Sequence, residues 1–88
     1  MRIEFEHDAI WIGAREAVRV KANDQDGQPI VCLIPRETFD DHFNGDGSND
    51  YVTIFEANRE RLLLAATKLI EAGITSADGT IVLETKYF

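Results

Sequence analysis

Apolar residues recur in this chain at two spacings, every second position through the first half and every third or fourth through the second. Ile3 and Phe5 alternate with Arg2, Glu4 and Glu6, which predicts a first strand with one buried face, and His7-Asp8 then turns the chain. From Ala14 to Ala22, Val18, Val20 and Ala22 alternate with Arg15, Arg19 and Lys21, predicting a second strand that carries three cations on one face. The residues Asn23-Asp24-Gln25-Asp26-Gly27 tolerate left-handed backbone, so they predict a hairpin leading into the apolar run Ile30-Val31-Cys32-Leu33-Ile34.

Pro35 ends that run and suits the first turn of a helix, because its missing N–H is not needed there. A short helix is expected over Arg36 to Phe43, with Phe39 and Phe43 one turn apart. Asn44 to Asn49 breaks it. One long helix is expected from Asp50, whose carboxylate can cap free amides, to Gly73, a residue favoured just past a helix end. Its apolar stripe runs through Tyr51, Ile54, Phe55, Leu62, Ala65, Ala66 and Leu69, while Glu56, Glu60, Thr67 and Glu71 make a solvated face on which Leu64 stands alone. After a turn at Thr75 to Gly79, Thr80 to Thr85 reads as a last strand with Ile81 and Leu83 on one face and Val82 and Glu84 on the other. Lys86-Tyr87-Phe88 either frays or extends it.

Together these elements predict a single domain over residues 1–88, an α+β two-layer sandwich. A mainly antiparallel sheet of about four strands, built from the N-terminal hairpin region and the C-terminal strand, packs on one short and one long helix. At 88 residues, folding buries roughly two thirds of the unfolded surface, enough for one modest core. The single cysteine excludes an intramolecular disulfide framework, and no run of apolar residues reaches bilayer length. The N-terminus interrupts its hydrophobics with acids and does not resemble a signal peptide, so a cytoplasmic protein without membrane attachment is expected.

Sixteen acids against nine cations leave a formal charge of −7, which opposes generic duplex binding. No P-loop, GxGxxG, GxSxG, HExxH or CxxC is present, so no catalytic residue is assigned and the chain is read as no enzyme. His7 and His42 lie far apart with no ligand spacing to another histidine or cysteine, and neither a metal nor another cofactor is expected. The oxygen-rich run Asp46 to Asp50 imitates a calcium loop but has Tyr51 and Ala57 where a glycine and a closing glutamate belong; it reads as a turn and helix cap. Cys32, in the middle of the most apolar strand, reads as a buried free thiol.

Asn58 falls inside the helix stripe, where a buried amide needs partners, so bonds to main-chain groups of a loop or strand end are expected. Arg59, at the edge of the stripe, can reach Glu37 or Asp41 on the short helix, or Glu56 one turn back. On the sheet, the alternation puts Arg15, Arg19 and Lys21 on the outer face with Val31, Leu33 and Val82, and Arg2 and Lys86 on the same side. Five of nine cations would share one surface. Such a mixed aliphatic and cationic patch suits an unidentified protein partner or a symmetric dimer; alternatively, the long stems simply cover the aliphatic residues.

The pattern Cys32-x-Ile34-x-x-Glu37, followed by Phe39, Asp41 and Phe43 and then by Phe55-x-x-Asn58-Arg59 leading into Leu62 and Ala66, resembles the small bacterial family called domain of unknown function 1488. The resemblance runs from the Trp11 region through the last strand. It implies a bacterial cytoplasmic domain with a two-layer fold of α and β elements, and it implies no known activity. Pro35 stands where the family pattern leads one to expect a capping serine, and Thr38 where it leads one to expect alanine. The function expected is therefore a non-enzymatic interaction or regulatory module that uses the outer sheet face around Arg15, Arg19, Lys21, Val31 and Leu33, self-associating or holding a partner. The alternative is nucleic-acid or anionic-ligand binding by the same cations, with Trp11, Tyr87 and Phe88 available for stacking. An enzyme built on Asn58, Arg59, Glu37 and His42 would need those four to converge.

Overall fold

A computed structural model describes residues 3–24, 26–43 and 50–88. The strands are β1 (Glu4–Phe5), β2 (Ile10–Ile12), β3 (Ala17–Asn23), β4 (Pro29–Pro35) and β5 (Ile81–Val82); the helices are α1 (Arg36–His42), α2 (Tyr51–Ala57) and α3 (Arg59–Glu71). They form an α+β fold in which β3 and β4 pair antiparallel along their whole length, from Ala17 opposite Pro35 to Asn23 opposite Pro29. The hairpin between them is made as its residues predict: the Asp24 carboxylate accepts the amides of Asp26 and Gln28, and Gly27 takes the left-handed backbone at φ +76°.

Several expectations need correction. The sheet has five strands, and its last pair, β4 with β5, is parallel, because the helical layer carries the chain back before it rejoins the sheet. The last strand covers only Ile81–Val82, less than the expected Thr80 to Thr85. The second strand begins at Ala17, since Gly13–Arg15 form a 3₁₀ turn closed by Glu16 in left-handed backbone at φ 47°. β2 was not foreseen: three uncharged residues are too few to show a period. The C-terminal Thr85–Tyr87 is a 3₁₀ turn docked on α1, with His42 Nε2 3.0 Å from the Thr85 carbonyl, Thr85 Oγ1 donating to Asp41 at 2.8 Å, and Phe88 edge-on to Phe43. The break at Asn44 to Asn49 and the calcium-like run up to Asn49 lie outside the described residues.

The expected long helix is two. At Asn58 (φ −126°, ψ 24°) the backbone N–H turns to the Phe55 carbonyl, and the side-chain amide donates to the Ile54 carbonyl at 2.9 Å, replacing the missing i to i−4 bond. Asn58 is half-buried, and its partner belongs to its own helix rather than to a loop or strand end. Asp50 caps α2, its carboxylate accepting the Thr53 amide and hydroxyl, and these bonds hold its pKa below the ordinary carboxylate value. At the other end α3 stops as expected: Gly73, at φ +72°, donates to the Ile70 carbonyl while Ile74 donates to that of Leu69.

The core lies between the sheet's inner face and the helices. Val18, Val20, Ala22, Cys32, Ile34 and Ile81 meet Phe39, Phe55, Leu62, Ala66 and Leu69, all buried. Burial pushes the Cys32 thiol up to about 12, so it is a packing atom and no nucleophile. Thr38 is fully buried and its hydroxyl donates to the Leu83 carbonyl at 2.7 Å, tying α1 to the end of β5. α1 has no side-chain cap, as Pro35 dictates; its first amide, on Arg36, donates instead to the Glu16 carbonyl at 2.9 Å, beside an Arg36–Glu16 ion pair of 2.8 Å. Among the described residues no helix is long and apolar enough to cross a membrane.

Candidate functional site

Side chains alternate along a strand, so the register that buries Val18, Val20 and Cys32 against the helices turns their neighbours to the opposite face. Arg19 stands opposite Leu33, Lys21 opposite Val31, and Leu33 is also opposite Val82 across the parallel pair. Ile10 opposite Arg19 and Ile12 opposite Ala17 belong to the same outer face. Leu33 and Ala17 are buried yet stand apart from the core cluster; Leu33 is flanked by Arg19 on one side and Val82 on the other. The apolar surface available to a partner is therefore Ile10, 48% exposed, with half-buried Ile12, Val31 and Val82.

Arg19 and Lys21 have no carboxylate within ion-pairing distance among the described residues, whereas Arg59 and Lys86 each have one and Arg36 has two, Glu16 and Asp40. Arg15 does not share the strand face. It is exposed in the 3₁₀ turn, and its charge reaches Asp78, whose carboxyl is held below the ordinary range first by the Thr80 amide and hydroxyl and also by Arg15. Lys86 is paired with Glu84 at 3.4 Å in the C-terminal turn, and Arg2 lies outside the described residues. Of the five cations expected on the face, the strand register places two.

Arg59 is engaged by structure. It meets neither Glu37 nor Asp41. Its Nη1 pairs with Glu56 at 3.1 Å, its Nη2 donates to the carbonyls of Phe5 at 3.0 Å and Glu6 at 3.3 Å, and the guanidinium lies 5.4 Å from the Phe55 ring centre. That bond to Glu6 has a consequence at the sheet edge. The Glu6 amide reaches the Lys21 carbonyl, but with its own carbonyl turned to Arg59, the Lys21 amide takes the Asp8 carboxylate at 3.1 Å instead. The edge strand is thus interrupted between β1 and β2, an excursion held by Arg59 and Asp8.

Open grooves flank Arg59, one lined by Glu56 to Arg61 and one by Glu4, Phe5, His7, Arg59, Glu60 and Leu63; neither includes Glu37 or His42. Glu37 is exposed in the first turn of α1, and His42 is held at the C-terminal turn. Among the described residues no three His, Cys, Asp or Glu side chains gather as metal ligands would. The residues that sequence reasoning passed over are Ile10 and Ile12, and Trp11 was considered only for stacking; an uncharged run from Ala9 to Ala14 was the signal for the strand they form.

Residues 3–83 match the model of a protein family described as of unknown function, DUF1488. A crystal structure of a DUF1488-family protein of unknown function from Shewanella loihica PV-4 has a similar fold, with a TM-score of 0.80, 27% sequence identity and 96% of each chain covered. No curated protein matches the chain.

Proposed function

Because this chain belongs to the DUF1488 family, whose function is unknown, we propose a role from its own geometry: a cytoplasmic, non-enzymatic module that binds a protein partner through the outer sheet face. The observation that carries it is the pair of strand cations, Arg19 and Lys21, which have no ion-pair partner among the described residues and stand beside Ile10 and Val31 on a face opposite to the helical layer. Such a face suits an acidic partner surface with an apolar centre. A second copy packed face to face would bring four cations together, which favours a different protein. Nucleic acid is less well served, since two phosphate contacts give a salt slope of only about −2 on a log–log scale in a chain of charge −7.

The test compares capture from native cytoplasm by the wild type, by Arg19→Glu with Val31→Glu, and by Leu64→Glu on the exposed helix face. A partner retained by the wild type and the Leu64 variant, lost with the face variant and released by salt, supports the reading. Identical capture by all three, or a dimer abolished by Arg19→Glu alone, overturns it.

A further inference from the structure

β3 uses one edge for β4 along its full length, so β1 and β2 share its other edge, and nothing among the described residues pairs with the far side of β2. The direction of the edge groups follows from Lys21. Its carbonyl accepts the Glu6 amide and its amide donates to Asp8, so both face the β1–β2 edge. Alternation turns the main-chain groups of Arg19 and Ala17 the same way, which makes Ile10–Arg19 and Ile12–Ala17 the hydrogen-bonded pairs of the β2–β3 ladder. The Trp11 N–H and C=O therefore point away from the sheet, and neither has a partner among the described residues.

Natural edge strands are ordinarily protected by charge, proline or a covering element. Here Ala9 to Ala14 contains neither charge nor proline, and Ile10 and Trp11 are 48% and 39% exposed. We propose that a second copy of this chain pairs with β2 through its own β2, antiparallel about a twofold axis at Trp11. The strand is self-complementary in that arrangement. Trp11 faces its counterpart as a hydrogen-bonded pair exchanging both N–H···O bonds, Ile10 faces the partner's Ile12, Ala9 faces the partner's Gly13, and no charge opposes a charge. The two sheets then join into one, and the Arg19 and Lys21 faces lie side by side, so this pairing is separate from the docking on that face.

Light scattering across micromolar to millimolar concentration should show the mass rising to twice that of the chain, with a parallel blue shift of the emission of Trp11, the single tryptophan. Trp11→Pro removes the outward N–H and no hydrogen bond within the protomer, and should be monomeric; Trp11→Phe keeps the N–H and should remain dimeric. A chain with Ile10→Lys and Ile12→Lys, and another with Ile10→Glu and Ile12→Glu, should each be monomeric alone and form a mixed dimer when combined. A wild type that stays monomeric at every concentration, or a dimer that survives Trp11→Pro and both like-charged chains, overturns the proposal. Arg19→Glu with Val31→Glu leaves this dimer intact, which separates it from the partner-docking reading.

Discussion

Replacing Arg59 by Met keeps the stem against Phe5 and Phe55 and removes everything the guanidinium does. The loss can be worked from its contacts. A hydrogen bond from a charged donor contributes about 1.5–3 kcal/mol; the 3.0 Å bond to the Phe5 carbonyl counts in full and the 3.3 Å bond to Glu6 for less. The pair with Glu56, whose side chain is 44% exposed, adds under about 1 kcal/mol, and the aromatic contacts add about 0.5–1 kcal/mol. These terms are not additive, and with the side chain 23% exposed the expected loss is about 3 kcal/mol. Urea unfolding followed by circular dichroism should show a lower midpoint at unchanged slope. Because carbonyl bonds dominate, the loss should persist in high salt, where an ion-pair effect would fade. A variant within about 0.5 kcal/mol of wild type, or a loss that salt abolishes, would refute the view that Arg59 clamps the sheet edge.

Asn58→Ala leaves the Ile54 carbonyl without its side-chain donor and should cost about 1 kcal/mol by the same urea assay; no change would mean the amide does not hold the helix break. Thr38→Val keeps the shape but strands the buried Leu83 carbonyl, for an expected loss of about 1–3 kcal/mol. The Cys32 thiol, raised from 9.0 to about 12, should resist thiol reagents until the protein unfolds. Its folded pKa is raised, so its contribution to stability is full below the unfolded value near 9 and is lost as pH climbs toward 12; Cys32→Ala should flatten that alkaline limb. Asp50 is the opposite case. Its lowered pKa gives stability that is present above the ordinary carboxylate value and lost as pH falls through the folded one, and Asp50→Asn should keep the cap while removing the Asp50 share of the acid dependence, the share of Asp78 remaining.

Much of the fold was legible in local pattern. The β3–β4 hairpin, the buried Phe39 of α1 and Phe43 at its end, the Asp50 cap and the Gly73 stop all depend on residues within a few positions of one another, and each stands where its turn or period requires. The site was legible by half. Strand alternation alone puts Arg19 and Lys21 beside Leu33 and Val31 once the hairpin is closed, but Arg15 needed the strand to begin two residues earlier than the 3₁₀ turn allows. Asn58 was visible as a polar residue within an apolar stripe, yet a stripe continues across a one-residue break, so periodicity could not show that the helix ends there.

The sequence by itself determined which faces are apolar, where the β3–β4 hairpin turns and α3 stops, and that one thiol and a net charge of −7 must be accommodated without an intramolecular disulfide. Only the tertiary structure decided that β5 runs parallel to β4, that Arg59 takes two carbonyls of β1 and its following turn, and that Asp8 replaces a main-chain acceptor to open the edge between β1 and β2. These outcomes depend on groups more than ten residues apart, and no local periodicity encodes which of two carboxylates or carbonyls a distant donor will reach. The edge of β2 that is unpaired among the described residues has the same origin: it exists because of how distant elements leave the Trp11 main-chain groups pointing away from the sheet, and it is short enough to pass unseen in the pattern of the chain.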